Sequence, residues 1–216
     1  LLKAKGDDRL ETLNNLGNLY RVLGRNGQSA EIFAQALKRT PLSTSLHRNL
    51  ALLKRDGGQV TEGLAAARRA AVCDPSEIDG LVIMAEMLEH QANLFEAKRL
   101  LRRAVVGAPD DADATSILAR IHRREGDSEA ALLILRESPA SSADRPGKHK
   151  LLFEKAQANQ ALGDFEEAFQ TLIEANSQQI SAMPPGRVDP ERAFQQVRDL
   201  TGMIEFVNAL EFVDDR

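Results

Sequence analysis

Apolar and small residues recur along this chain three and four positions apart, in short stripes separated by polar faces. Leu13, Leu16, Gly17 and Tyr20 form one stripe, and Ser29, Phe33 and Ala36 form the next. Ala97, Leu101 and Ala104 repeat the spacing of that second stripe, as do Ala168, Leu172 and Ala175. Such spacing gathers each set on one face of an α-helix. The breaks between stripes keep a fixed ruler. Pro41, Pro75 and Pro109 stand 34 residues apart, and Gly24, Gly58 and Gly126 follow the same period, with Ala92 in the vacant slot. Glycine supplies the left-handed backbone that ends a helix, and proline cannot extend one past its first turn. Each period therefore predicts two helices joined by a tight turn.

Four units superimpose without gaps, at 10–43, 44–77, 78–111 and 112–145, and a fifth occupies 149–182 after the insertion Pro146-Gly147-Lys148. In the fifth, Asp164 followed by Glu167 reads as an N-cap with its capping-box partner. Residues 1–9 read as an N-terminal tail, in which Lys3 to Asp8 is the end of a helix followed by a linker. Beyond the array, Met183-Pro184-Pro185-Gly186 interrupts the pattern, and Asp189-Pro190 restarts it as a cap with proline at the first helical position. Residues 183–216 are thus a linker and a C-terminal helix. Phe194, Val197, Leu200, Ile204 and Val207 share one stripe of that helix, whose near end is expected to cover the last hairpin. Phe206, Leu210, Phe212 and Val213 either pack back on the fifth unit or face a further domain or another subunit. Their number favours the second option.

The stripes Leu13-x2-Leu16-Gly17-x2-Tyr20, Ser29-x3-Phe33-x2-Ala36 and closing Pro41 resemble the tetratricopeptide repeat (TPR). The resemblance covers about four-fifths of the chain. It implies an all-α fold, an α-solenoid of about five TPR helix-turn-helix hairpins with a C-terminal capping or connecting helix, coiled right-handed. Departures are plain: no unit has the family's Trp, the second carries Gly63 and Ala67 where Ala and an aromatic are usual, and the fourth lacks its closing Pro. The function implied is non-catalytic, with a protein or extended peptide held in a concave groove lined by the first helices.

A second resemblance runs from Leu152-Phe153-Glu154-Lys155-Ala156 through Ala161-Leu162-Gly163-Asp164-Phe165 and Glu174-Ala175-Asn176 to Asp189-Pro190-Glu191 and Phe206. These features look like the last repeat and connecting helix of bacterial proteins in which TPR arrays precede a sulfotransferase domain. That family transfers a sulfuryl group from an adenosine phosphosulfate donor, gripped by a Pro-Arg-Ser-Gly-Thr-like loop, and no such loop occurs in these 216 residues. The resemblance makes this chain the docking half of an enzyme whose catalytic half would lie beyond Arg216.

Composition narrows the alternatives. Net charge is −4, from 28 basic and 32 acidic residues, so no global field favours nucleic acid or an anionic membrane. The basic run Lys98, Arg99, Arg102 and Arg103 has no interleaved aromatics to stack bases and lies on a second helix, away from the groove. One cysteine, Cys73, cannot form an internal disulfide. With no apolar run near the roughly 20 residues of a membrane span, and no signal-peptide pattern, the expected location is the cytoplasm. His47, His90, His122 and His149 lack partners at ligand spacing, and Pro146-Gly147-Lys148 lacks the upstream Gly and following Ser or Thr of a phosphate loop. No catalytic residue, metal or cofactor is expected.

The candidate groove residues lie one period apart on the first helices. Asn15 and Asn49 would sit side by side, able to donate to and accept from a peptide backbone. Two exposed Asn at that spacing could equally be coincidence, since the next equivalents are Ile83, Ile117 and Glu154. The two Asn resemble the start of the Asn ladder of the O-GlcNAc transferase TPR superhelix, which that resemblance implies would line the groove but which stops here after Asn49. Two further ladders read Asn18, Leu52, Glu86, Arg120 and Arg21, Arg55, Glu89, Arg123. With Asp79 and Arg124 they make basic, acidic and basic bands, which either select a ligand of matching pattern or form an ordinary solvated face. Asp79 and Ile83 occupy the third hairpin where a chaperone-type carboxylate clamp needs Lys or Arg. Partners expected are a protein or peptide in the groove, a linked C-terminal domain, or a second copy pairing through the C-terminal helix.

Overall fold

The structure, a computed structural model, describes residues 2–141 and 146–181, with side chains from residue 10 onward. Ten α-helices follow one another among these residues: α1 Leu2–Val22, α2 Asn26–Arg39, α3 Thr44–Asp56, α4 Val60–Cys73, α5 Ile78–His90, α6 Leu94–Gly107, α7 Ala112–Arg124, α8 Ser128–Glu137, α9 Lys148–Ala161 and α10 Phe165–Ser181. Consecutive helices pair as hairpins, and each hairpin stacks on the next through its second helix. The first helices α1, α3, α5, α7 and α9 also touch in sequence, forming one continuous face. An array in which each hairpin meets only its neighbours is a solenoid.

The turns explain the ruler. Every first helix ends with a left-handed residue, Gly24, Gly58, Gly126 and Gly163 at φ between 71° and 88°, and Ala92 at φ 59°. Each is followed by a backbone bond that closes the helix end, such as Arg25 N–H to Tyr20 O at 2.8 Å and Asn93 N–H to Leu88 O at 2.9 Å. The turn at Ala92 therefore keeps its shape without glycine, at a steric cost.

Helices within a hairpin approach through small residues. Ala36, Ala70, Ala104 and Ala175 are fully buried. In the first hairpin a Cβ on Gly17 would lie 2.6 Å from the Phe33 ring, and Ser29 Oγ donates to the Gly17 carbonyl at 2.8 Å. The second hairpin pairs Ala51 with Ala67, both fully buried. Met87 from the third lies against it, so that a Cβ on Gly63 would come within 2.8 Å of the Met87 methyl. The space left by the missing side chain at Gly63 is thus filled by a thioether from the neighbouring hairpin, a flexible side chain suited to an irregular gap.

Three expectations need correction. Residues 2–9 continue α1 rather than forming a tail and linker. The fourth unit ends early: α8 stops at Glu137 and passes into a 3-10 turn at Pro139–Ser141, because Ser138 and Pro139 break the helix where other units run on. Gly147, in the insertion, is a left-handed N-cap for α9. The capping box at Asp164 is half formed: Asp164 Oδ1 accepts from Glu167 N–H at 3.2 Å, but the Glu167 carboxylate pairs with Lys155 at 2.6 Å instead. Residues 183–216, with the cap and C-terminal helix expected there, lie outside the described residues.

Candidate docking groove

The face made by the first helices carries a groove of about 590 Å³. Its floor is apolar, from Leu52 on α3, Val82 and Ile83 on α5, and Ile117 on α7. Its walls are charged, and their arrangement follows from the stagger between neighbouring first helices. A residue on one such helix meets positions 31 and 35 later, one turn apart on the next, rather than its equivalent 34 later. Arg55 donates to Glu86 at 2.5 Å, Arg48 to Asp79 at 2.7 Å and Arg120 to Glu89 at 2.6 Å, each 31 apart. Arg21 donates to Asp56 at 2.5 Å, Arg124 to Glu89 at 3.0 Å and Asn49 to Asn14 at 2.8 Å, each 35 apart.

That stagger separates the Asn ladder. Asn49 is buried and holds Asn14, while Asn15 is exposed and outside the groove lining. It also pairs the charges of the bands across neighbouring repeats. The acidic band at Glu86 and Glu89 is bonded on one side to Arg55 and on the other to Arg120 and Arg124. Arg123 and Arg120 continue to Glu154, at 3.3 and 3.7 Å. The bands therefore clasp neighbouring repeats to one another. Of the ten candidates, Asn18, Arg21, Asn49, Arg55 and Glu86 line the groove. Glu89, Arg120, Arg123 and Arg124 form a separate network further along.

The electrostatics follow the closeness of the arginine partners, 2.6–3.0 Å at Glu89 and 3.3–3.7 Å at Glu154. Burial pushes the Glu89 carboxyl upward, but hydrogen bonds and charge from Arg120 and Arg124 outweigh it and hold it below the usual carboxylate range. The Arg120 guanidinium is raised by its hydrogen bond to Glu89. At Glu154 burial wins over Arg120 and Arg123, and the carboxyl lies above its ordinary value. Arg55 loses by burial but gains more from Glu86 and Asp56, so it is raised.

Sequence reasoning missed two wall pairs. Arg48 with Asp79 and Glu77, and Lys150 with Asp113, flank the groove floor. Opposite charges at the period less three would have flagged the Arg48–Asp79 pair. These pairs differ from the Glu89 clasp in exposure: the Asp79 and Asp113 side chains are 56% and 53% exposed, that of Glu89 only 4%. The histidines take structural places. His47 is buried with Nε2 2.8 Å from the Pro41 carbonyl, and His122 Nδ1 lies 3.7 Å from Asp127.

A family profile described as the tetratricopeptide repeat matches residues 14–78 and 91–146. The chain belongs to the tetratricopeptide repeat family. Among solved structures it is similar to a thermophilic TPR protein of Thermus thermophilus, with a TM-score of 0.68 and 18% identity over 87% of this chain and 98% of that one. PilF of Pseudomonas aeruginosa aligns with a TM-score of 0.68 and 17% identity over 78% of this chain and 77% of its own. MamA aligns at 0.60 and 18% over 76% and 95%. At these identities the likeness establishes the fold. No curated protein matches the chain in sequence. No helix among the described residues is long and apolar enough to cross a membrane.

Proposed function

We propose that this TPR array is a non-catalytic scaffold, working in the cytoplasm, whose concave groove holds an extended segment of a partner protein. The observation that carries the reading is the apolar floor of Leu52, Val82, Ile83 and Ile117 between two solvent-exposed ion pairs, Arg48–Asp79 and Lys150–Asp113. An exposed pair contributes little to stability and can exchange partners with a ligand at small cost. Both signs are offered, so the segment that fits is apolar with mixed charge, and Asn18, Arg21, Arg55 and Glu86 form one end of its track. Glu89, Arg120, Arg123 and Arg124 act in this reading as clasps between repeats.

Panning a display library of random peptides against the full chain tests it. The selected peptides are expected to lose about tenfold in affinity with Arg48→Ala and Asp79→Ala, a change of about 1.4 kcal/mol each, and nothing with Asn15→Ala. Peptides that bind all three variants like the wild type would overturn it. The likeness of residues 152–206 to TPR-sulfotransferase proteins supports a finer version, in which the segment belongs to the substrate of a linked catalytic domain. Sulfuryl transfer to a groove-bound peptide by the whole parent protein is the assay for that version.

A further inference from the structure

Two pockets of about 550 and 570 Å³ lie on the outer edge of the array, away from the groove, and they are the same pocket one repeat apart. In the first, the Pro41 loop faces Arg68, Arg69 and Val72 at the end of α4. In the second, the Pro75 loop faces Arg102, Arg103 and Val106 at the end of α6. Each named residue stands 34 after its counterpart. Val72 is 81% exposed and Val106 82%, apolar surface left in water at both places. The arginines set this edge apart. Arg48, Arg55, Arg120, Arg123 and Arg124 on the inner face all have carboxylate partners. Arg68, Arg69, Arg102 and Arg103 are exposed and make no ion pair among the described residues.

Four unpaired guanidinium groups beside two apolar pockets call for an occupant with several carboxylates and two sets of apolar side chains. The chain contains one. Glu205-Phe206-Val207 recurs as Glu211-Phe212-Val213, followed by Asp214 and Asp215, giving two identical acidic-apolar triplets and four carboxylates within 11 residues. We propose that the outer edge of one copy docks residues 205–215 of a second copy, the triplets filling the two pockets and the carboxylates pairing with the four arginines. The pockets belong to the first three hairpins and the segment is a different part of the chain, so the contact between copies is heterologous. Such a heterologous contact builds rings where its rotation closes and open chains where it does not. This goes beyond the groove reading and uses none of its residues.

The test uses the full chain and two charge-reversed variants. One carries R68E, R69E, R102E and R103E, all at exposed positions. The other carries E205K, E211K, D214K and D215K. Light scattering over a concentration series is expected to show wild-type assembly that 0.5 M salt weakens, and monomers for each variant alone. An equimolar mixture of the two variants should assemble again, because each then offers the charge its neighbour lacks. The lone Cys73 lines the first pocket, so its reaction with a neutral thiol reagent reports on occupancy directly. It should slow about tenfold in the assembling samples, and likewise when a synthetic peptide of residues 201–216 is added to a dilute monomeric sample. Circular dichroism checks that both variants keep their helices, and R68Q with R102Q serves in place of the fourfold variant if they do not. A wild type that stays monomeric at 0.2 mM, a mixture that fails to assemble, or protection of Cys73 that ignores concentration would each overturn the proposal. So would binding of the wild type to anionic phospholipid vesicles without self-assembly, which would make the edge a membrane surface.

Discussion

Replacing Glu89 by Gln isolates the strongest clasp between repeats. The residue is 3% exposed and its carboxylate accepts from Arg120 Nε at 2.9 Å, Arg120 Nη2 at 2.6 Å and Arg124 Nη1 at 3.0 Å. A hydrogen bond to a charged group contributes about 1.5–3 kcal/mol, and breaking a buried pair by removing one partner costs about 3–5 kcal/mol. Here the two arginine side chains are 31% and 43% exposed, so they can rehydrate, and the amide oxygen of Gln keeps one acceptor. The expected loss at neutral pH is therefore about 2 kcal/mol. For a chain of this length that lowers Tm by about 4–8 °C, read by thermal unfolding followed by circular dichroism. The sign with pH follows from the lowered Glu89 carboxyl. A depressed carboxylate contributes stability above its unfolded pKa of about 4.3 and loses it as pH falls through the folded value. The gap between wild type and E89Q should then narrow as pH falls from about 5 toward 3. Glu154 has the opposite sign, since its carboxyl is raised by burial. Its ionisation opposes folding at neutral pH, and protonation as pH falls through the raised value relieves that cost. E154Q should accordingly cost less than E89Q at pH 7. Equal losses for the two variants, or an E89Q loss unchanged from pH 7 to pH 3, would refute the clasp as the source of the effect.

Ala92→Gly should stabilise the chain by about 0.5–1 kcal/mol, because Ala92 occupies the left-handed region at φ 59° where a Cβ is penalised; an unchanged denaturant midpoint would mean the turn relaxes. Gly17→Ala should destabilise by about 1–2 kcal/mol, since the new methyl would meet the fully buried Phe33 ring at 2.6 Å and overpacking exceeds the gain in helix propensity; chemical unfolding reads it directly. Asn49→Ala should cost about 1 kcal/mol by removing its bond to Asn14, with groove affinity changed less than twofold. A large loss of affinity at unchanged stability would instead restore Asn49 as a ligand contact.

Helix positions and turns were legible because their signals are local. Gly24, Gly58, Gly126 and Gly163 sit in left-handed turns, and Ala36, Ala70 and Ala104 mark the close contacts of successive hairpins. Ala92 kept the turn without the glycine because the bond from Asn93 N–H to Leu88 O closes it as elsewhere. The groove was less legible for a geometric reason. Equivalent residues recur every 34, but the helices that carry them are staggered, so Asn49 meets Asn14 and Arg55 meets Glu86. A ladder drawn through equivalent positions joins residues that do not touch. The short α8 escaped notice because Ser138 and Pro139 end it before the period is complete.

The placement of nearby acids determines which charges remain free to meet a partner. In the basic run at 98–103, Lys98 reaches Glu125 in the next turn and Arg99 reaches Glu96 one turn back, while Arg102 and Arg103 find no acid within range among the described residues. Run length alone treats all four as one patch. The inner face shows the converse: it holds more arginines than the outer edge, yet Glu77, Asp79, Glu86, Glu89 and Glu154 answer them. Charge that ties repeats together is costly to take from its partner when the acid is buried, as at Glu89, and cheap when it is exposed, as at Asp79. Recognition is therefore expected at the exposed wall pairs of the groove and at the unpaired arginines of the edge. The intervening clasp at Glu89 lies outside both sites and ties the third repeat to the fourth.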